Sequence, residues 1–367
     1  MNKSTHEGDP DAGTHRYTKQ EQEPATDAIT EIAPGVLRTQ LPVKLPGLGH
    51  VNCYLLEDER GVAVIDPGLP GPESWDALVS RLKAAGYEVR NVHTAVITHS
   101  HFDHFGGANQ LRDEAGTDVL THESFRSAFD MSELSENPDA EFDLNDEESL
   151  AKFRERFMRK TPWGTQWRPP DDENLRRMFK HGRGAMMLLP EPSIRVIDTQ
   201  IVRLARRDWI AVHTPGHTGD HLCLYDPEHG LFVSGDHVLP TITPHIAGVT
   251  AAADPLAAFF ASLRRMHDFE VTTVLPAHGH PFHDLAGRAD AIARHHDERL
   301  DILRKVGRSE LPLGTVPEFM RYLFRERSWG DMAESETFAH LEHLEHAGLA
   351  ERWEQDGMLY YRMAPAS

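Results

Sequence analysis

Short runs of apolar residues separated by glycine and proline begin near Ile29 and predict the strands of a β-sheet. The first runs are GVLRTQL, HVNCYLLED and GVAVIDPG, and the last of these ends in a turn at Pro67 and Gly68. Later runs of the same kind are VHTAVIT, DVLTHE, IRVID, DWIAVHTPG, HLCLYD, LFVSGD and VTTVLPA. Residues 73–85 repeat apolar side chains at every third or fourth position, which predicts an amphipathic helix. Strands that alternate with helices are typical of a layered α/β fold.

Two more helices are predicted in the second half of the chain. Asp254 and Pro255 are typical of an N-cap and a first helical residue, and the apolar stripe that follows them extends to Met266. A long helix at about 284–306 closes this α/β region.

The pattern divides the chain into three regions. Residues 1–28 are polar and charged with almost no large apolar side chain, so we predict a disordered tail. Residues 29–306 form the α/β domain, in which residues 124–192 break the pattern and predict a helical insertion that serves as a lid or a binding element. Residues 307–367 follow the order helix, short helix, helix and hairpin, which resembles a small winged-helix-like domain.

Charge argues against a nucleic-acid partner. The 367 residues include 58 acidic and 38 basic side chains, a formal net charge of −20, which repels a phosphate backbone. The segment 310–367 alone carries 11 acidic and 5 basic residues, so its winged-helix-like pattern favours a packing role over DNA reading. Two cysteines and the lack of any apolar run near the roughly 18 residues of a membrane span predict a cytoplasmic protein without a membrane partner.

The chain is rich in histidine, with 24 residues, and one cluster of them predicts a metal site. His99, His101, Asp103 and His104 lie within six residues, directly after a predicted strand. Imidazoles two positions apart can converge on one ion, while the carboxylate and the adjacent imidazole face a second position. This motif therefore predicts a loop that folds around metal.

Three more candidate ligands lie far apart along the chain. His217, Asp236 and His278 each follow a predicted strand, in the segments TPGHTGDH, SGDH and LPAHGH. Functional sites of layered α/β folds gather at the ends of strands, so we expect these loops to meet the histidine motif.

With these motifs in this order, residues 29–285 resemble the metallo-β-lactamase superfamily. The resemblance implies a four-layer αββα sandwich with a pair of divalent metal ions at one edge, zinc first, with iron or manganese as alternatives. It implies that His99, His101 and His217 hold the first ion, that Asp103, His104 and His278 hold the second, and that Asp236 bridges them. It also implies that Asp103 orients a metal-bridging hydroxide and passes a proton to the leaving group, as a catalytic acid–base residue.

The function we expect is hydrolysis of a small-molecule carbonyl ester, thioester or lactone. Two alternatives stay open: a nuclease that cleaves phosphodiesters, against which the negative charge argues, and a persulfide dioxygenase with a single iron. The substrate, the metal and the oligomeric state are not determined by the sequence.

Several residues near these motifs have two interpretations. Asp66 either supports the metal site or caps a turn, while His221, His237 and His280 are supporting residues rather than ligands. His295 and His296 on the final long helix are expected to be solvated, and Cys53 and Cys223 to be core residues. Candidate substrate contacts, with packing as the alternative, are Trp163, Trp167, Arg168, Pro240, Thr243 and His245.

Overall fold

The predicted strand runs form two sheets and a small third one. The structure, a computed structural model, describes residues 19–45, 47–126, 147–148, 151, 160–167 and 189–365. The first sheet has seven strands that lie side by side in chain order: β1 (Thr30–Ala33), β2 (Val36–Leu45), β3 (Leu48–Asp58), β4 (Gly61–Ile65), β5 (Val92–Val96), β6 (Asp118–His122) and β7 (Ile194–Val196). Strands β1 to β4 pair antiparallel, and β4 to β7 pair parallel.

The second sheet has five strands in the order β12-β11-β10-β9-β8. Its members are β8 (Ile201–Leu204), β9 (Arg207–His213), β10 (Leu222–Asp226), β11 (Leu231–Gly235) and β12 (Thr273–Pro276). The β8 to β11 pairs are antiparallel, whereas β11 and β12 run parallel. Strands β10 and β11 are buried throughout, as expected for an inner strand covered on both faces.

Seven helices in the described residues complete the layers. They are α1 (Pro72–Ala84), α2 (Phe102–Phe105), α3 (Ala108–Ala115), α4 (Pro255–Arg265), α5 (Leu285–Ser309), α6 (Val316–Leu323) and α7 (Asp331–His346). The predicted N-cap is present, because the side chain of Asp254 accepts a hydrogen bond from the amide of Ala257 at the start of α4.

Three groups of buried apolar side chains hold the layers together. Between the two sheets, Tyr54 and Ile65 pack with Trp209 and Leu224. The outer face of the first sheet is covered by α1 and α3, through side chains that include Leu78, Leu82 and Leu111. The outer face of the second sheet is covered by α4 and α5, through Phe259 and Ile292 among others. This helix–sheet–sheet–helix order confirms the predicted four-layer α/β fold.

The C-terminal segment contains the predicted elements. After β13 (Gly314–Thr315) come α6, a short 3-10 helix at Glu326–Ser328, α7, and a hairpin of β14 (Ala350–Gln355) and β15 (Met358–Met363). The three strands form a sheet in the order β13-β15-β14. The buried side chains of the C-terminal segment belong to the same core as those of α4 and α5; examples are Phe319, Phe338 and Tyr361. Whether residues 307–367 form a winged-helix-like domain of their own stays a prediction.

The predicted disordered tail is wrong for residues 19–28. A short 3-10 helix at Gln20–Gln22 packs against strand β3, and Glu21 is buried. Its carboxylate accepts hydrogen bonds from the amides of Thr241 and Ile242. Residues 1–18 lie outside the described residues, as do most of the predicted insertion, its Arg168 included.

Candidate metal centre

The histidine motif begins in the loop after β5 and continues into the short helix α2, which contains Asp103 and His104. Strand β5 is a buried parallel strand that ends at Val96, and the chain then turns so that α2 begins at Phe102. His99, Asp103 and His104 are buried, while His101 is partly exposed. The four candidate ligands of the motif therefore lie at one edge of the sandwich, where this buried strand ends.

The other three candidate ligands come from the second sheet. His217 lies in the loop between β9 and β10, Asp236 directly follows β11, and His278 lies two residues after β12. Gly235 has φ +50°, and a Cβ there would lie 2.7 Å from Nε2 of His221. Glycine before Asp236 thus lets the chain leave β11 in a conformation that an L side chain rarely adopts.

The structure brings all seven candidate ligands together in two adjoining groups. In the first, Nδ1 of His101 lies 3.0 Å from Nε2 of His99 and 3.1 Å from Nε2 of His217. Donors bound to one tetrahedral zinc at about 2.0–2.1 Å are about 3.3 Å apart, so this spacing fits a shared ion. The fourth member is Asp236, whose Oδ2 lies 3.7 Å from Nε2 of His217.

The second group contains Asp103, His104 and His278. Oδ2 of Asp103 lies 3.5 Å from Nε2 of His278 and 3.6 Å from Nε2 of His104. Asp236 also faces this group, with its Oδ1 3.4 Å from His278 and its Oδ2 3.6 Å from His104. Asp236 therefore lies between the two groups, as a bridging carboxylate must.

Hydrogen bonds on the far side of each ring fix the histidine tautomers. Nδ1–H of His217 donates to the carbonyl oxygen of His245, and Nδ1–H of His278 donates to that of His50, each at 2.6 Å. A carbonyl oxygen only accepts, so in the neutral form of each ring, the form that can bind a metal ion, Nε2 carries the lone pair and faces the site. Partners of this kind orient the rings of metal-binding histidines.

Asp66 orients two further rings. Its Oδ2 accepts hydrogen bonds from Nδ1–H of His104 at 2.9 Å and from the hydroxyl of Thr98 at 2.8 Å. Because the hydroxyl proton of Thr98 is used in this way, its oxygen accepts from Nδ1–H of His99 at 3.0 Å. Asp66 has φ +54°, a strained backbone that is typical of functional positions. Of its two interpretations, the structure favours support of the site.

The buried atoms that face the centre of the cluster lack hydrogen-bond partners. Nε2 of His104, Nε2 of His278 and Oδ1 of Asp236 are all buried and make no hydrogen bond within the described residues. Leaving such groups unpaired costs free energy unless something else binds them. A cation at this position would satisfy all three, so the residues present fit a metal centre.

Charge interactions divide the cluster into a neutral and a charged part. Burial, with the neighbouring imidazole of His217, lowers the pKa of His101 to about 3, so this ring is neutral. Burial also opposes ionisation of His278, but the carboxylates of Asp236 and Asp103 outweigh it and raise the pKa of this ring to about 10. Despite burial, His104 and His278 hold the pKa of Asp103 down at about 2. Both carboxylates are therefore ionised at neutral pH and attract positive charge.

His221 supports the site and does not face an ion. Its Nε2 accepts a hydrogen bond from the amide of Asp236 at 3.0 Å, and its Nδ1 contacts the hydroxyl of Thr214 at 2.8 Å. Both ring nitrogens are therefore occupied, and the ring stacks on His99 with 5.1 Å between centroids. His280 contacts Glu23 outside the cluster, and His237 is buried beside Phe259.

The loop after Asp236 connects the site to helix α7. Besides its carbonyl bond to His217, His245 places its ring Nδ1 3.3 Å from Oε2 of Glu336. The amide of Gly248 donates to the hydroxyl of Ser335 at 2.9 Å. Glu336 also forms an ion pair with Arg299 of α5. The C-terminal segment thus fixes the loop that orients a candidate metal ligand.

Other sequence interpretations are settled by burial. Trp163 is buried and donates its Nε1–H to Glu334 of α7 at 2.9 Å, so it packs. His296 is also buried, and its Nδ1 lies 3.1 Å from Nε2 of His340, so the prediction that it is solvated was wrong. Helix α7 covers the face of α5 that the sequence pattern left exposed. Cys53 and Cys223 are buried, as predicted.

Two sheets enclosed by helices, with a histidine and carboxylate cluster where their strands end, define a metal-dependent hydrolase of the α/β class. The chain belongs to the metallo-beta-lactamase superfamily, whose family model matches residues 46–278. No helix among the described residues is long and apolar enough to cross a bilayer.

Several known proteins are similar in sequence to this chain. The probable metallo-hydrolase YqjP of Bacillus subtilis is 26% identical over 244 residues, which cover 64% of this chain and 68% of the relative. The lactamase-like protein adaB of Aspergillus niger is 26% identical over 278 residues, 76% of this chain and 64% of the relative. An atrochrysone carboxyl ACP thioesterase of Aspergillus fumigatus is 30% identical over 263 residues, 71% of this chain and 45% of the relative. The chain thus spans about two thirds of the first two and less than half of the third.

Two solved structures share the fold over most of the chain. A metallo-beta-lactamase family protein from Thermus thermophilus has a TM-score of 0.68 at 26% identity, covering 90% of this chain and 100% of its own. A beta-lactamase domain protein from Burkholderia ambifaria has a TM-score of 0.69 at 25% identity, covering 93% and 97%.

Proposed function

We propose that this protein is a dinuclear metal-dependent hydrolase that cleaves a small-molecule thioester, ester or lactone. The observation that carries this proposal is the cluster of seven ligand-type side chains, with three buried polar atoms aimed at its centre and left without partners. Donors that are all imidazole or carboxylate suit zinc, and also iron or manganese. When bound, such a pair of ions lowers the pKa of a water molecule toward 7 and polarises a substrate carbonyl group.

The ligand assignment follows the two groups of donors. One ion is held by His99, His101 and His217, the second by Asp103, His104 and His278, and Asp236 is shared. Four of the five imidazole donors present Nε2 and His101 presents Nδ1. The tautomers of the four rings that present Nε2 are set in advance by Asp66, Thr98 and two backbone carbonyls, which reduces the reorganisation needed on binding.

Asp103 is the residue we assign to proton transfer. Its carboxylate is buried, ionised at neutral pH and lies among the second group of donors. It therefore can accept the proton of the attacking water and deliver it to the departing sulfur or oxygen atom. Asp103→Asn keeps the shape of the side chain but removes this proton acceptor, so turnover falls more than binding of the first ion.

Thioesters are the substrates we favour within this class. One relative is named as an ACP thioesterase and another as a probable metallo-hydrolase. A thioester offers a carbonyl group for attack and a thiolate that leaves readily, so general acid catalysis by one carboxylate is sufficient. The formal charge of −20 disfavours a polyanionic nucleic acid as substrate.

The test combines metal analysis with a substrate panel. Elemental analysis is expected to find two equivalents of zinc, iron or manganese, and the loaded protein is then assayed with acyl-thioesters, lactones, β-lactams and bis(4-nitrophenyl) phosphate. Asp236→Ala should lose metal and turnover together, while Asp290→Asn, on the exposed surface, serves as the control. Preference for the phosphodiester would favour a nuclease, and one iron with consumption of dioxygen would favour a persulfide dioxygenase; either result contradicts the proposal.

A further inference from the structure

A cavity outside the metal centre lies beside the loop that follows Asp236. It has a volume of about 470 Å³ and lies between helix α5, residues 241–243 and Lys19. This volume is within the range of pockets that hold small molecules. Its charged lining consists of Lys19, Arg288, Arg294, Arg299 and one carboxylate, Glu298. Four cations around one cavity are unusual in a protein with a net charge of −20.

Two of these cations are part of the frame of the cavity. Arg288 donates hydrogen bonds from its guanidinium group to the carbonyl oxygens of Leu239 and Ile242, each at 2.6 Å. Arg299 forms its ion pair with Glu336. These contacts hold the loop against α5 and keep the wall of the cavity in place.

The other two cations have no partner. Lys19 and Arg294 are exposed, and the side chain of neither makes a hydrogen bond or an ion pair within the part of the chain that the structure describes. Glu298 forms no ion pair with Arg294, although it lies one helical turn away. The nearby carboxylate of Glu21 is already bound by the amide and hydroxyl groups of Thr241. The cavity therefore keeps an excess of unpaired positive charge.

The cavity and the metal centre share one segment of chain. Residues 241–243 lie between Asp236, which faces both ligand groups, and His245, whose carbonyl orients His217. Pro240 packs against the Gly279 position, directly after His278. Arg299 in the wall of the cavity is also linked to the metal centre, through its ion pair with Glu336 and the contact of Glu336 with His245.

We propose that the cavity binds an anionic phosphate group on the thiol part of the substrate, remote from the bond that is cleaved. A guanidinium and an ammonium group both donate charge-assisted hydrogen bonds to phosphate oxygens. The hydroxyl group of Thr243 lines the same space and adds a neutral donor. This proposal rests on the proposed thioesterase function, because it names the part of the thioester that the cavity holds.

The test compares a thioester with and without its phosphate. Acetyl-4′-phosphopantetheine is expected to have a KM about tenfold below that of acetyl-pantetheine, the ratio that corresponds to one charge-assisted hydrogen bond. Arg294→Gln should bring this ratio close to one. Lys305→Gln, an equal change of charge at an exposed position of α5 outside the cavity, should leave the ratio as it is.

A direct binding measurement tests the anion site in the cavity separately from the proposed hydrolase activity. Calorimetry with 4′-phosphopantetheine, which has no bond to hydrolyse, should show binding that weakens about tenfold in Arg294→Gln and also weakens with added salt. If this holds but no thioester is hydrolysed, the anion site is supported and the proposed function is wrong. If both thioesters are hydrolysed with equal KM and Arg294→Gln behaves like Lys305→Gln, the cavity proposal is overturned and the hydrolase proposal stands.

Discussion

Glu336 tests whether the C-terminal segment takes part in the metal centre. Its carboxylate binds the ring of His245, whose carbonyl accepts the hydrogen bond that orients His217. It also pairs with Arg299 on α5. Replacing Glu336 therefore perturbs a candidate metal ligand through two intermediate hydrogen bonds, from a helix more than one hundred residues further along the chain.

The size of the effect follows from burial. The side chains of Glu336 and Arg299 are 11% and 16% exposed, so Glu336→Ala leaves a nearly buried cation without its partner. Removing one partner of a buried ion pair costs about 3–5 kcal/mol of folding stability. Because Arg299 keeps some exposure to solvent, we expect the lower value of about 3 kcal/mol for this pair. Glu336→Gln keeps the volume and one acceptor, so we expect about 1 kcal/mol.

A measurement of metal affinity distinguishes a role of Glu336 in positioning a metal ligand from a role in stability alone. Loss of a residue that orients a metal ligand lowers affinity about 10- to 100-fold, and because Glu336 acts through His245 we expect about tenfold for Glu336→Ala. The measurement is a competition titration with a chromophoric chelator, together with urea unfolding of the metal-free protein. Glu345→Gln, in a more exposed ion pair of the same helix, is the control and should change neither quantity by much.

The two readouts decide between a functional and a purely structural contact. If Glu336→Ala lowers the free energy of unfolding but the metal affinity of the folded protein stays at the level of Glu345→Gln, the link through His245 does not position His217. Glu336 would then contribute to stability through Arg299 without positioning a metal ligand.

Three further outcomes are expected. Asp66→Ala removes the acceptor of Nδ1–H of His104, so affinity for the second ion should fall about tenfold in the same chelator titration, and an unchanged affinity would contradict the role of Asp66. Burial raises the pKa of Asp220 from 3.8 to about 6, so the folded protein holds an extra proton on this carboxyl group between these values, and the contribution of Asp220 to stability should fall as pH rises from about 4 to 6. That loss is about 3 kcal/mol, and urea titrations of Asp220→Asn should lack it. Removal of bound ions with a chelator should lower the melting temperature, and zinc should restore it, because ions that bind only the folded state add stability.

The sequence predicted the candidate ligands because each is a distinctive residue type at a recognisable place. His99, His101 and His104 are crowded into one short segment after a strand, and Asp236 and His278 come directly after runs of buried apolar residues. Parallel and neighbouring strands end at the same edge, so the position of a residue after a strand already indicates which residues meet. The local pattern was therefore sufficient to predict which of these side chains the fold brings together.

The residues that orient those ligands were harder to predict. His50 and His245 act through backbone carbonyl oxygens, which every residue type has, so no sequence signal marks them. Glu21 looked like part of a charged tail, yet it is buried because the amides of Thr241 and Ile242 satisfy its carboxylate. Such contacts depend on which distant segments pack together, and a pattern of apolar positions does not contain that information.

Helix α7 contacts both the predicted insertion and the loop beside the metal centre. Residues 333–340 are buried without interruption, although this stretch includes two glutamates, a serine, a threonine and a histidine. A helix buried on all sides needs a partner for each polar side chain. Glu334 binds Trp163 of the insertion, Ser335 binds the amide of Gly248, and Glu336 binds the ring of His245. Three consecutive residues thus anchor the insertion and the loop beside the metal centre. The C-terminal segment is therefore part of the structure that shapes the site.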